Sequence, residues 1–175
     1  MRGRFVKTTD TPAAGSRKAG SLDRVRRYLE ERGHAGDLLV FDDRSTKTCE
    51  LAASAVGCEI GQIVKSLVFI AGDRPVLALV AGDRRGDTAA IAGLMGSGEV
   101  RFADADTVRS ATGYAIGGVS PFDLPEELVV LVDDSLRRFD VVYTAAGTPN
   151  SMVRFDREAL FALVGGQVAQ ISRES

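Results

Sequence analysis

The stretch that decides the fold is residues 63–82, "IVKSLVFIAGDRPVLALVAG", in which a polar turn separates two apolar runs. Runs of this length, rich in Val, Ile and Leu and broken by Gly-Asp, are typical of a β-hairpin. In the first strand, alternation places Lys65 and Phe69 on one face and Ser66 and Val68 on the other. Both faces are otherwise largely apolar, so this strand is predicted to be buried.

A lysine inside such a strand needs an explanation, because a desolvated ammonium group is costly without a partner or a wet cavity. Lys65 could lie at the entrance of the strand and extend its ammonium group to water along the apolar stem. Alternatively, it points into a pocket and binds an anion or a carbonyl oxygen. The residues alone leave both interpretations open.

The hairpin lies within a chain of alternating helix and strand patterns. Helices are predicted with N-caps at Ser21, Thr48, Asp87 and Asp156, and a short one over residues 104–112. Further strands are predicted at 37–43, 99–103, 127–134, 139–147 and 167–171. Because hairpins interrupt the βα rhythm, a mixed sheet is favoured over an all-parallel one. We expect a flexible N-terminal tail over residues 1–20 and a single domain over residues 21–175.

Composition restricts the class of protein. The chain has 175 residues, 45% of them hydrophobic, and a net charge of −2, with +5 carried by residues 1–34 and −7 by the rest. The basic front could touch phosphates or be a solvated tail and helix face. Two cysteines and one histidine do not make a zinc site of the usual spacing, and no apolar run approaches the roughly 20 residues of a membrane span. A protein of the reduced cytoplasm, without metal or other cofactor and without membrane contact, is expected.

A second unusual stretch is "TGYAIGGVSPFD", residues 112–123, which is too rich in glycine for a helix and too interrupted for a strand. Such runs are usually structural turns. The adjacent Gly117 and Gly118 would also let a ligand approach the backbone closely, so that bare N–H groups could bind an oxyanion.

Five segments occur in the order and spacing of one known family: "AASAVGCEIGQIVKSLVF", "VAGDRRGDTAAIAGLMG", "TGYAIGGVSPF", "VLVDDSL" and "VYTAAGTPN". Over residues 37–171 the chain resembles the YbaK/prolyl-tRNA-synthetase-associated domain superfamily of free-standing aminoacyl-tRNA deacylases. The resemblance implies a mixed α/β fold with a barrel-like β-sheet surrounded by helices. It also implies hydrolysis of the ester that joins a wrong amino acid to tRNA, with neither a metal nor a covalent enzyme intermediate.

The resemblance extends to individual positions. Lys65, Gly117 and Gly118 match the positions that carry catalysis in the family. The predicted substrate-binding residues are Ser66, Gly113, Tyr114, Ser120, Pro121, Ala145, Gly147 and Asn150, of which Asn150 could equally be a simple turn residue. Cysteinyl-tRNA deacylase members have a serine where Ala145 aligns and an aspartate near Met152. Specificity for another small amino acid is therefore expected.

The sequence offers no clear histidine base and no activated cysteine, which agrees with this chemistry. The single histidine, His34, follows a predicted surface helix, and Cys49 and Cys58 lie in or beside a small-residue helix with nothing nearby to lower their pKa. The resemblance thus implies a trans-editing hydrolase that acts on the 3′ aminoacyl-adenosine end of tRNA, with tRNA for proline as the favoured acceptor and a synthetase as a further partner. The alternatives are a non-catalytic module that binds a nucleotide, an aminoacyl group or a synthetase, and a deacylase of small esters.

Overall fold

The computed structural model describes residues 20–34 and 37–175, so nearly all of the predicted tail lies outside the described residues. These described residues form five α-helices: α1 Ser21–Glu31, α2 Cys49–Val56, α3 Thr88–Met95, α4 Ala105–Thr112 and α5 Arg157–Val164. The same part of the chain has ten strands: β1 Leu38–Val40, β2 Val64–Ala71, β3 Arg74–Ala81, β4 Arg84–Gly86, β5 Val100–Phe102, β6 Val129–Asp133, β7 Val141–Ala145, β8 Ser151–Asp156, β9 Gln167–Ala169 and β10 Ser172–Glu174. None of the described helices combines the length and apolar character needed to span a bilayer.

The predicted hairpin is the centre of the largest sheet. β2 and β3 pair antiparallel along their whole length, from Val64 opposite Ala81 to Ala71 opposite Arg74. Gly72 closes the turn with φ +66°, a conformation that glycine adopts without steric cost. The sheet has the order β5-β2-β3-β6-β9, in which β3, β6 and β9 are parallel. The prediction of a mixed α/β fold is therefore confirmed.

The barrel-like closure expected from the resemblance is not found among the described residues. The strands form three open sheets: the five-stranded sheet, an antiparallel sheet in the order β1-β8-β7, and the pair β10-β4. Among the described residues, backbone pairing joins the two larger sheets only at one isolated bridge, between Ile63 before β2 and Tyr143 in β7. One bridge is too short a ladder to close the strands into a barrel.

Each face of the five-stranded sheet is covered by a different layer. On the face with Val64 and Val68, the sheet packs against α1, the glycine run and the three-stranded sheet. On the face with Phe69, it packs against α3 and Ile171. The hairpin is therefore buried on both sides, as its apolar pattern predicted.

Helix boundaries follow local signals. Thr48 caps α2, Asp87 caps α3, and Gly57 ends α2 in the left-handed conformation. The prediction for Ser21 was wrong by one position, because Ser21 is the first helical residue and the N-cap is Gly20, which has no side chain to accept a bond. Asp156 is the N-cap of α5, although its side chain makes no capping hydrogen bond.

Candidate active site

A cavity of about 480 Å³ opens at the start of β2. Its wall is built from chain segments far apart in sequence: residues 46–50 before and at the start of α2, the first half of β2, the glycine run, and the ends of β7 and β8. Small-molecule sites have volumes of about 300–1,000 Å³. This cavity is therefore large enough for an aminoacyl group and part of the nucleoside to which it is attached.

Lys65 lies in the wall of this cavity and is half-buried. Its Nζ donates a hydrogen bond to the backbone carbonyl of Arg84. An ammonium group has three N–H donors, so two remain for a ligand. The structure thus brings the strand lysine to a cavity and fixes it there by one backbone contact.

The carbonyl that holds Lys65 is itself anchored by a buried polar network. The Arg84 Nε donates to the Ser172 Oγ at 2.9 Å, and that hydroxyl donates to the Asp133 carboxylate at 2.7 Å. Asp133 is fully buried and also accepts the Ile171 N–H at 2.9 Å. The C-terminal strand β10 therefore helps to position the carbonyl that binds Lys65. Sequence reasoning missed this network because its members are up to 88 residues apart.

The glycine run divides into residues that line the cavity and residues that support it. Gly117 lines the cavity with φ +92°, and its N–H has no acceptor among the described residues. Gly118 does not line the cavity, and its N–H donates to the Ala115 carbonyl at 3.1 Å. A Cβ on Gly118 would lie 3.0 Å from the backbone of Gly147 and Thr148. The structure therefore contradicts Gly118 as an oxyanion donor and gives it a packing role.

The other substrate-binding residues predicted from this run do not line the cavity. Tyr114 is fully buried and donates its hydroxyl to the Phe122 carbonyl at 2.6 Å, and burial raises its pKa to about 12. Ser120 and Pro121 are also buried, and neither they nor Gly113 line the cavity. Their expected contact with substrate stays a prediction, because none of them is among the residues that line the cavity.

Helix α1 holds the two ends of the glycine run together. The Arg24 guanidinium donates to the Gly113 carbonyl at 3.2 Å and to the Asp123 carbonyl at 2.8 Å, and it pairs with the Asp123 carboxylate at 3.1 Å. It also lies 4.7 Å above the centroid of the Tyr114 ring. Planar, multiply bonded contacts of this kind are specific to arginine, so Arg24 fixes the loop that carries Gly117.

An apolar wall faces the aminoacyl part of the predicted site. Ala145 in β7 and Met152 in β8 are directly opposed in register, and both line the cavity. Gly147 and Asn150 do not line it. A Cβ on Gly147 would lie 2.8 Å from the Ser21 carbonyl oxygen, and the Asn150 amide donates to the Phe41 carbonyl at 2.8 Å. Both residues shape the turn between the strands.

Ser66 also belongs to the wall of the cavity. Its Oγ is inaccessible to water and has no hydrogen-bond partner among the described residues. The predicted small hydroxyl is present, but its polar atom is buried in the wall.

Several lining residues were not found from the sequence. They are Thr46, Lys47, Glu50, Phe102 and Ile116, and no local motif marks them. Cys49 also lines the cavity, and burial raises the pKa of its thiol although the positive charge of Lys65 acts in the opposite direction. Burial thus disfavours the thiolate of Cys49, but the expectation that nothing nearby would lower its pKa was wrong, because Lys65 does so. His34 packs against Phe155 at 5.4 Å between ring centroids, away from the cavity. No group of three potential metal ligands occurs in residues 20–34 and 37–175.

Comparison with curated proteins gives relatives over most of the chain. The chain is 34% identical over 141 residues to the "Uncharacterized protein YwhH" of Bacillus subtilis, covering 80% of this chain and 88% of that protein. It is 26% identical over 126 residues to the "Putative Cys-tRNA(Pro)/Cys-tRNA(Cys) deacylase EbsC" of Enterococcus faecalis, covering 71% and 77%. A proline–tRNA ligase of Lactobacillus johnsonii is 31% identical over 127 residues, which are 73% of this chain and 22% of the ligase.

Solved structures give the same result. A crystal structure described as that of "a putative trans-editing enzyme for prolyl tRNA synthetase" superposes with a TM-score of 0.79 at 39% identity, covering 89% of this chain and 98% of the other. The sequence profile of the aminoacyl-tRNA editing domain matches residues 43–163, a range that contains Lys65, Gly117, Ala145 and Met152. With a matching fold, a matching profile and the lysine and glycine run at one cavity, the chain belongs to the aminoacyl-tRNA editing domain family.

Proposed function

We propose that the protein is a trans-editing hydrolase that removes a small, wrongly attached amino acid from tRNA, with tRNA for proline as the acceptor. The observation that carries the proposal is the convergence of Lys65, Gly117 and the Ala145–Met152 wall on one cavity. Both the cation and the Gly117 N–H can stabilise negative charge on a carbonyl oxygen. Similarity to a trans-editing structure and to proline–tRNA ligases supports the choice of acceptor.

The chemistry is ester hydrolysis by water. Water attacks the aminoacyl carbonyl carbon, the carbonyl oxygen becomes negative, and Lys65 with the Gly117 N–H stabilises that charge. The bond from the carbonyl carbon to the ribose oxygen then breaks, and the ribose oxygen takes up a proton. The products are the free amino acid and the tRNA with an intact terminal hydroxyl.

The proton of the attacking water needs an acceptor. Glu50 is the only carboxylate among the residues that line the cavity, and it is exposed. The substrate supplies a second group, because the neighbouring ribose hydroxyl lies next to the ester. No histidine is required by this scheme, in agreement with the position of His34 outside the cavity.

The cavity wall supports selection of a small side chain by shape. Ala145 and Met152 present no hydrogen-bonding group where cysteinyl-tRNA deacylases have a serine and an aspartate. An extra methylene in an apolar pocket changes binding by about 1–3 kcal/mol, so discrimination among small amino acids should be modest. We expect turnover of more than one small aminoacyl-tRNA and little turnover of cysteinyl-tRNA.

The test is release of labelled amino acid from tRNA for proline charged in turn with alanine, serine, threonine, cysteine or proline. The same amino acids on a second tRNA examine the choice of acceptor. Turnover of alanine, serine or threonine from the proline tRNA supports the proposal. A strong preference for cysteine would contradict the specificity. Binding without turnover of any substrate would instead favour a non-catalytic module.

A further inference from the structure

Two exposed apolar side chains lie at the cavity. Six large apolar residues of the described chain are exposed, and the two most exposed are Ile116 at 63% and Phe102 at 61%. Both line the cavity, whereas the other four, with exposures of 39–48%, do not. Single exposed apolar residues are ordinary on a protein surface, but two at the edge of one cavity indicate a contact surface.

The Phe102 ring is held in place from below. Phe102 lies opposite Phe69 in the β5–β2 ladder, and the two ring centroids are 4.5 Å apart. Phe69 is fully buried. A ring braced in this way loses little conformational freedom when a second flat group covers its exposed side.

The second apolar residue is tied to the reacting groups. Ile116 immediately precedes Gly117, whose N–H is assigned to the carbonyl oxygen. A Cβ on Gly117 would lie 3.4 Å from the Lys47 Cγ, so the stem of Lys47 runs beside the same turn. Lys47 is exposed and forms no ion pair with the residues the structure describes. An apolar surface and a free cation therefore flank the position of the ester.

The ester of an aminoacyl-tRNA fixes what must lie on that surface. When the aminoacyl carbonyl is at Lys65 and Gly117, the alcohol part of the ester is a ribose that carries a base and a phosphate. That nucleoside must extend out of the cavity through its open side, where Phe102 and Ile116 are exposed. A flat base with an aromatic ring, and a phosphate with a lysine, are complementary pairs.

We infer that Phe102 and Ile116 form a platform on which the terminal base of the tRNA acceptor end stacks, with Lys47 beside its phosphate. The inference rests on the proposed function and adds the residues that recognise the nucleoside part of the substrate. Recognition of the base through its flat face makes Phe102 a determinant of KM rather than of kcat.

The first experiment compares wild type with Phe102→Ala, Phe102→Trp and Leu94→Ala in deacylation of alanyl-tRNA for proline. Loss of an aromatic platform weakens binding by about 5- to 100-fold per base, so Phe102→Ala should raise KM by that order while kcat stays within threefold. Phe102→Trp keeps a flat face and should stay near the wild type. Leu94 is 42% exposed on α3 away from the cavity, and Leu94→Ala should change nothing.

The second experiment separates the base from the aminoacyl group without requiring turnover. Calorimetry measures binding of 3′-alanylamino-3′-deoxyadenosine, a stable amide analogue, and of the same alanylamino-ribose without a base. The wild type should bind the compound with the base more tightly, and Phe102→Ala should remove that difference. Circular dichroism and urea unfolding show whether each variant is folded, and Phe102→Leu, which keeps an apolar contact to Phe69, replaces an unfolded alanine variant.

The outcomes distinguish the inference from the proposed function. If the wild type deacylates and a folded Phe102→Ala or Phe102→Leu protein keeps the wild-type KM and the wild-type preference for the base, the platform is refuted and the function stands. If the wild type binds the analogue through its base but releases no amino acid, the platform stands and hydrolysis is refuted. A wild type that neither binds nor deacylates refutes both.

Discussion

Replacement of Lys65 by methionine removes the ammonium group while keeping an unbranched apolar stem of similar length. This choice separates charge from packing better than alanine does, because no large void is opened beside the half-buried stem. Within the part of the chain that the structure describes, the only side-chain hydrogen bond lost is the one from Nζ to the Arg84 carbonyl. We expect the fold to be retained and deacylation to be largely abolished.

The two magnitudes can be worked out separately. Removal of one donor that stabilises a developing oxyanion lowers kcat by about 10²–10³-fold, or roughly 2.7–4 kcal/mol. The lost hydrogen bond to Arg84 costs about 1 kcal/mol of folding stability, and removal of a half-desolvated ammonium offsets part of that cost. The predicted free energy of unfolding is therefore within about 1 kcal/mol of the wild type.

The assay is single-turnover release of alanine from alanyl-tRNA at saturating enzyme, with urea unfolding of each variant. Lys47→Met is the matched comparison, since it removes another lysine charge at the same cavity. In steady-state assays with varied substrate, Lys47→Met should raise KM in a salt-dependent manner and change kcat little. Lys65→Met should lower the single-turnover rate at every salt concentration. A Lys65→Met rate within fivefold of the wild type would refute the role of Lys65 in stabilising the carbonyl oxygen.

Three further predictions concern packing and titration. Gly118→Ala places a Cβ 3.0 Å from the backbone of the loop after β7, so urea unfolding should show a free energy of unfolding lower by about 1–3 kcal/mol. The control is Gly93→Ala in α3, where the Cβ meets open space and the free energy of unfolding should rise by up to about 1 kcal/mol. Asp133→Ala leaves the N–H groups of Ile171 and Ser135 and the hydroxyls of Ser135 and Ser172 without their acceptor, and it should cost about 2–4 kcal/mol in the same assay; a loss below 1 kcal/mol would contradict the network. Burial, with a smaller contribution from Glu59, raises the pKa of Cys58 from 9.0 to about 11, which disfavours the thiolate. Alkylation of its peptide, followed by mass spectrometry, should therefore be slow at pH 8 and rise steeply towards pH 11; rapid reaction at pH 8 would contradict that shift.

The parts of the fold that sequence predicted are those with local causes. The hairpin at residues 63–82 has strands of alternating or apolar pattern on either side of a glycine turn. Helices α2 and α3 carry their own cap residues, Thr48 and Asp87. Such signals act within a few residues, so they survive in any tertiary context. The predicted start of the first helix was wrong by only one residue, because its apolar stripe is also a local signal.

Two of the strands that sequence missed, β4 and β10, depend on distant partners. β4 and β10 are three-residue strands with polar side chains, and they pair across more than 80 residues of chain. Long-range pairing of such short strands leaves no periodic pattern long enough to recognise. β8 was also not predicted, although it forms a hairpin with its neighbour β7 as well as pairing with β1.

The candidate site shows the same division. Lys65 and Gly117 stood out because a buried cation and a bare backbone are unusual wherever they occur. Lys47, Phe102 and Ile116 are ordinary surface residue types, and only the fold brings them to one cavity. Residues that stabilise charge are therefore easier to predict from the sequence than residues that bind the rest of a substrate.

The glycine run contributes some residues to packing and others to the candidate active site. Gly113 and Tyr114 are held by Arg24 and by burial, and Gly118 is held against the loop after β7. Only Ile116, Gly117 and Val119 face the cavity. Substitutions among the first group should lower the free energy of unfolding and reduce activity through it. Substitutions at Ile116 or Gly117 should change activity at constant stability, apart from the backbone strain that any side chain meets at Gly117, where φ is +92°.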